Sequence, residues 1–119
     1  MVERREHERV LIRAEVVLRK GVHVERMTAR DISIAGAFLE TTLFDHINLK
    51  TGSRFDLTLH VDESGPTHAV EDGHTIHAQA RIVRREPGGN GHPSGIGVAF
   101  EELDDANRER ILALVHRNF

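Results

Sequence analysis

The strongest constraint on the fold is an alternation of apolar and other residues that begins at Val10. Every second residue from Val10 to Leu18 is apolar, and several of the intervening residues are charged. A period of two places the two sets of side chains on opposite faces and predicts a half-buried β-strand. Lys20-Gly21 then predicts a tight turn into a returning strand over residues 22–30. A chain that opens in this way is expected to form an antiparallel sheet.

Four further segments have strand patterns, and the C-terminal segment changes period. The predicted strands cover residues 37–41, 55–61, 76–82 and 96–100, with polar or glycine-rich loops at 62–73 and 86–94. Ile111, Leu112, Leu114 and Val115 recur at helical spacing, and Asp104 is placed to cap that helix. Six strands with hairpin-length connections predict a mainly β protein, a six-stranded antiparallel β-barrel with one C-terminal α-helix.

The first nine residues differ from the rest because almost all of them are charged or His. Residues 1–9 are therefore expected to form a mobile arm, and residues 10–119 a single domain of ordinary size. The first six residues lack the apolar run of a secretory signal, and no stretch approaches the roughly 20 apolar residues of a membrane span. A cytoplasmic protein without a membrane partner is expected.

Composition argues against several classes of function. The chain has no Cys, which excludes disulfides, thiolate zinc sites and a Cys nucleophile. Its nine His residues show no convergent ligand spacing, so we predict no metal site. No nucleophile is paired with a base, so we assign no catalytic residue and do not expect an enzyme. A net charge of −3, with no Tyr or Trp, argues against polymeric nucleic acid as a partner.

The charged arm contains three guanidinium groups directly before the first strand. Arg5 and Arg9 stand four residues apart, and Arg4 precedes them. A guanidinium can clamp a phosphate and can also stack on a ring face. A solvated charged terminus is the ordinary alternative for such a run.

A second polar segment follows the returning strand and contains Asp31, Ser33 and Gly36. On a strand, Asp31 and Ser33 would project to the same side. A carboxylate can accept hydrogen bonds from guanine N1–H and N2–H₂, and a hydroxyl can bind base or phosphate. Gly36 allows a backbone turn or the close approach of a ligand. A turn that ends the strand would explain the same three residue types.

Taken together, the two segments resemble the two-part signature of PilZ domains, which are bacterial receptors for cyclic di-GMP. The likeness runs from Glu3 to about Val115 and includes the late strand at residues 95–100 and the helix after it. The family fold is a six-stranded antiparallel β-barrel with an added C-terminal helix, which agrees with the strand count. The resemblance implies a non-enzymatic second-messenger receptor that has cyclic di-GMP as its ligand and no other cofactor.

The resemblance also implies roles for the site residues. Arg5 and Arg9 are expected to contact the phosphates and stack on the guanines. Asp31, Ser33 and the backbone of Gly36 are expected to line the barrel surface where the guanine docks.

Arg4 adds a guanidinium to this set, and a basic residue there tends to accompany an intercalated ligand dimer in such domains. Two nucleotides per site are therefore our hypothesis. The ligand-ordered arm would signal to an unidentified downstream protein, and Phe119 with the helix could serve a homodimer or a protein partner equally well. The alternative function is a ligand-independent interaction module of the same fold, against which the intact Arg5 and Arg9 argue.

Overall fold

The alternating segments of the sequence form strands in the computed structural model, which describes residues 9–40, 50–61, 75–89 and 94–117. The elements in these ranges are β1 (Val10–Lys20), β2 (His23–Ile32), β3 (Gly36–Glu40), β4 (Arg54–Val61), β5 (Thr75–Glu86), β6 (Gly95–Glu102) and α1 (Asp105–Arg117). The strands close a barrel in the order β1-β2-β3-β6-β5-β4, and all six neighbouring pairs are antiparallel. The predicted fold class is confirmed.

The turn predicted at Lys20-Gly21 joins β1 to β2. Gly21 has a φ of 61°, in the left-handed region that a residue with a side chain rarely adopts. Three strands end later than predicted: β2 continues to Ile32, β5 to Glu86 and β6 to Glu102. The longer β2 carries Asp31 within the sheet.

The barrel interior is filled by the apolar residues of the alternating patterns. On β4, Phe55, Leu57 and Leu59 are buried while Arg54 and Asp56 are exposed. Each fully buried aliphatic or aromatic side chain contributes about 1.5–3 kcal/mol relative to exposure. The core therefore accounts for the barrel without a metal or a disulfide.

Helix α1 packs its apolar stripe against the same core and is fixed at its N-terminus by polar contacts. Ile111, Leu114 and Val115 are buried. Asp104 Oδ1 accepts the Asn107 backbone N–H at 2.8 Å, as expected of an N-cap. The Asn107 side-chain amide donates to the same oxygen at 2.8 Å. The two hydrogen bonds lower the pKa of Asp104 below its ordinary value. Among the described residues, no helix has the length and apolarity that a membrane span requires.

Two of the four irregularities in strand register determine how Asp31 and Arg84 are placed. Arg30 is an extra residue of β2 relative to β3, because the pairing moves from Ala29 to Asp31 against consecutive β3 residues. Val83 is likewise an extra residue of β5 relative to β6. Both bulges place two successive side chains outside the barrel, so Asp31 and Arg84 lie on the outer surface.

Candidate ligand-binding site

A row of laterally paired residues crosses the outside of the barrel at Asp31. Strand pairing sets Leu11 beside Asp31, Asp31 beside Phe38, Phe38 beside Gly97, and Gly97 beside Arg84. Neighbouring strands lie about 4.8 Å apart, so these five residues span roughly 19 Å of curved surface. We refer to them as the outer row.

Arg9 from the N-terminal segment contacts Asp31 at this row. Arg9 Nη1 donates a hydrogen bond to Asp31 Oδ1, and the two side chains are 30% and 20% exposed. The pairing of Val10 with Ile32 explains the contact, because it brings Arg9, the residue before β1, to the end of β2. The structure thus brings together one residue from each segment that the sequence singled out. Arg4 and Arg5 lie outside the described residues.

Ser33 is placed differently from the sequence expectation, because β2 ends at Ile32 and Ser33 begins a turn. Its backbone N–H donates to Gly36 O at 2.8 Å, and its Oγ accepts the Ala35 N–H at 3.1 Å. The residue is only 2% exposed. Ser33 therefore does not share an outer strand face with Asp31, and its side chain holds the turn that leads into β3. A turn that ends the strand was the alternative explanation of this segment in the sequence analysis.

Gly36 is required by the close approach of β3 and β6. A Cβ added there would lie 2.0 Å from Val98 O and 3.2 Å from Ala99 Cα. No atom can occupy that space while the two strands stay paired. The close contact allowed by Gly36 is therefore with the neighbouring strand, so Gly36 shapes the site from beneath.

Phe38 and Arg84 extend the outer row beyond the residues that sequence reasoning identified. The Arg84 guanidinium faces the Phe38 ring, with its carbon 5.9 Å from the ring centroid. It also lies against the backbone of Gly97, where an added Cβ would be 3.0 Å from Arg84 Cζ. The Phe38 ring covers Gly95 in the same way, since a Cβ there would be 2.6 Å from Phe38 Cζ. The only sequence signal for this arrangement is the two glycines at alternate positions of β6.

Ion pairs surround the row. Arg30 Nη1 bonds Glu40 Oε1 at 3.1 Å, and Arg84 Nε bonds Glu86. Such exposed pairs are worth little in stability, about 0–1 kcal/mol each, so their arginines can exchange partners readily.

A separate ionic cluster lies further along β6. Arg54 and Arg81 stand directly opposite each other on β4 and β5, and both donate to Glu101, at 2.8 Å and 2.5 Å. The hydrogen bond from Arg81 is the main cause that lowers the pKa of Glu101. This carboxylate relieves the repulsion between two like charges and is a structural feature of the sheet. Across the residues that the structure describes, no group of three His, Asp or Glu side chains could hold a metal ion.

Comparison with known families gives a match over most of the chain. The model of the PilZ domain matches residues 3–117. No curated protein sequence matches this one.

Comparison with solved structures finds the same fold at low sequence identity. The Bacillus subtilis inhibitor of motility, MotI/DgrA, aligns with a TM-score of 0.77 and 16% identity over 98% of this chain and 51% of that one. The PilZ domain of YcgR from Escherichia coli, solved with c-di-GMP, aligns with a TM-score of 0.72 and 13% identity over 98% and 92%. The MrkH–c-di-GMP complex of K. pneumoniae gives 0.72 and 16% over 98% and 52%. This chain spans about half the length of the B. subtilis protein and of MrkH.

Proposed function

This chain belongs to the PilZ domain family, and from that premise we propose that it is a non-enzymatic receptor for cyclic di-GMP in bacterial second-messenger signalling. The observation that carries the proposal is the Arg9–Asp31 contact on the outside of the barrel. It joins a guanidinium that can bind phosphate to a carboxylate that can bind the guanine edge. Two similar structures were solved with this ligand, which supports the same assignment here.

In this proposal, Asp31 recognises the Watson–Crick edge of one guanine. The N1–H and N2–H₂ groups of guanine are two adjacent donors that match the two oxygens of a carboxylate. A carboxylate has about four acceptor positions, so the bond from Arg9 leaves room for both. Arg9 has five N–H donors in a planar fork and uses one of them on Asp31. The others are available to a ligand phosphate, and Asp31 would hold the fork in place for it.

The arm is assigned the role of neutralising the ligand. Among the described arginines nearest the row, Arg9, Arg30 and Arg84 each have an acidic partner, namely Asp31, Glu40 and Glu86. A ligand with two phosphates therefore needs additional positive charge, and Arg4 and Arg5 are placed in sequence to supply it. An arm that folds over the ligand would present a different surface to a downstream protein, which is a common form of switch.

The charged residues of the proposed site can account for a micromolar affinity. A micromolar Kd corresponds to about 8 kcal/mol, and lost rigid-body freedom adds at least about 4 kcal/mol. A charge-assisted hydrogen bond contributes about 1.5–3 kcal/mol, so roughly six such bonds are needed. Three guanidinium groups and one carboxylate can form that number with two phosphates and a guanine. Ser33 and Gly36 contribute by fixing the turn and the strand on which this surface is built.

Several finer features belong to the same proposal. Arg4 beside Arg5 suggests an intercalated dimer of the ligand, so a titration is expected to give two nucleotides per chain. A cytoplasmic location fits an intracellular messenger, and the surface altered by the arm would serve a downstream protein or a homodimer.

The test is calorimetric titration of cyclic di-GMP into the wild type and into Arg5→Ala and Arg9→Ala. We expect micromolar or tighter binding by the wild type and a loss of at least roughly tenfold in each variant. Arg26→Ala is the matched control, because Arg26 is an exposed arginine of β2 that pairs with Glu15 at 3.5 Å on the distant part of the hairpin. If the wild type does not bind, the alternative of a ligand-independent interaction module is favoured. If both substitutions leave binding unchanged, the site lies elsewhere.

A further inference from the structure

Phe38 and Arg84 present a flat aromatic ring and a flat cation to each other on the outer row. Phe38 is half-buried and its ring lies across Gly95, while the Arg84 guanidinium lies on Gly97. The side chains of β6 are absent at both of these positions, so nothing from β6 separates the ring from the guanidinium. The guanidinium therefore stands over the ring, and both groups rest on backbone that carries no side chain.

This arrangement adjoins the residue that we propose reads the guanine edge. Phe38 is the direct pairing neighbour of Asp31, one strand spacing away. A guanine whose edge faces Asp31 therefore extends over β3 and reaches the Phe38 ring. Arg84 stands two strands further along the row, on the side of Phe38 away from Asp31.

Building on the function proposed above, we propose that Phe38 and Arg84 form a stacking clamp for the guanine that Asp31 recognises. The base would lie on the Phe38 ring and be covered by the Arg84 guanidinium. A planar base between two planar groups needs about 7 Å, twice a contact distance of about 3.5 Å. The present separation is 5.9 Å, so Arg84 has to move outward by about 1 Å.

Arg84 has the freedom to make this movement. Its side chain is about half exposed, at 52%, and its acidic partner Glu86 is equally open at 48% on the same strand. An exposed pair of this kind is weak and exchanges easily. The bulge at Val83 turns Arg84 outward, and Gly97 leaves the space beneath it empty of side chain. A side chain at either glycine of β6 would fill the clamp.

Calorimetric titration of cyclic di-GMP tests the clamp on Phe38→Leu, Arg84→Ala and Arg84→Lys, each compared with wild type and with Arg26→Ala. Stacking on an aromatic ring predicts that Phe38→Leu weakens binding roughly tenfold, and Arg84→Ala by a similar factor. Arg84→Lys keeps the charge but removes the planar fork, so its affinity should fall nearly as far as that of Arg84→Ala. Arg26→Ala should bind like wild type. Urea denaturation of each variant verifies that the barrel is folded.

The double variant Phe38→Leu/Arg84→Lys adds a second readout. Two groups that hold one base should act together, so the double variant should bind more tightly than the product of the two single losses predicts. Affinities within twofold of wild type for Phe38→Leu and Arg84→Lys, with Arg9→Ala still defective, would overturn the clamp and leave the receptor function intact. Full retention by Arg84→Lys alone would show that Arg84 acts only through its charge and would also overturn it. A wild type that does not bind would overturn both proposals.

Discussion

Replacing Gly36 by Ala is the sharpest test of how the site is built. The added methyl group would lie 2.0 Å from Val98 O and 3.1 Å from Val98 C, both backbone atoms of β6. A real Cβ contact is essentially never shorter than 3.0 Å, so β3 and β6 have to separate by about 1 Å at this position, the difference of the two distances. Backbone atoms within a closed barrel cannot rotate away as a flexible side chain can.

The expected cost follows from that separation. Forcing a methyl group into packed structure costs about 1–3 kcal/mol. Stretching the two flanking backbone hydrogen bonds by about 1 Å breaks them, at about 0.5–1.5 kcal/mol each. Ala in place of Gly in a strand returns about 0.5–1 kcal/mol through the unfolded state. The free energy of unfolding should therefore fall by about 1–5.5 kcal/mol, compared with about 5–15 kcal/mol for the whole of a typical domain.

Urea denaturation followed by far-UV circular dichroism measures this change. Gly97→Ala is the matched control, because the three atoms nearest its Cβ would all belong to the Arg84 side chain, at 3.0–3.1 Å, and that side chain can move. Gly97→Ala should leave the free energy of unfolding within about 1 kcal/mol of wild type. Gly95→Ala should resemble Gly36→Ala, since its Cβ would lie 2.2 Å from Leu39 O. Equal unfolding free energies for Gly36→Ala and Gly97→Ala would refute a packing role for the signature glycine.

Three further predictions concern the core and the helix. Leu39→Ala, at a position with no exposed surface, should lower the free energy of unfolding by about 2–5 kcal/mol, whereas Leu11→Ala, 78% exposed, should change it by less than about 0.5 kcal/mol in the same urea assay. Asn107→Ala removes the acceptor of the His77 backbone N–H at 2.9 Å, which should lower the free energy of unfolding by about 1–3 kcal/mol. A decrease of less than about 0.5 kcal/mol would contradict this role of Asn107. Hydrogen bonds from Asn107 lower the pKa of Asp104. The ionised Asp104 therefore stabilises the folded protein at neutral pH, and this stabilisation is lost as the pH falls below about 4. The difference in melting temperature between wild type and Asp104→Ala should therefore shrink from pH 7 to pH 3, and a constant difference would argue against the cap.

The barrel could be predicted from the sequence because its strands and turns are determined by residues close together in the chain. Alternation at period two sets the inner and outer faces, and the Gly21 turn needs only one residue with positive φ. The helix and its Asp104 cap follow from the same kind of short-range signal. The association of Arg9 with Asp31, by contrast, depends on a pairing between residues 22 positions apart. The likeness to a family implied that both residues contact one ligand, but neither that likeness nor any local pattern predicted a contact between them.

The features that could not be predicted from the sequence depend on the register between neighbouring strands. A bulge has no residue signature of its own, so alternation predicted neither that Arg30 and Asp31 would both face outward nor that Arg84 would lie against Phe38. Ser33 suited a ligand contact and a turn equally well in sequence. In the structure its side chain is buried and accepts the Ala35 N–H of the turn before β3.

The most direct test of the central claim is a titration of the ¹⁵N-labelled chain with cyclic di-GMP, observed through its backbone amide resonances. The account predicts that the amides of Asp31, Phe38 and Gly97 shift together, in proportion to ligand bound, while Gly21 at the far hairpin turn shifts little. In Arg9→Ala the same amides should need at least roughly tenfold more ligand to reach the shifts seen in the wild type. Absence of any shift in the wild type, or shifts confined to α1 and the hairpin turn with the outer row unaffected, would contradict it.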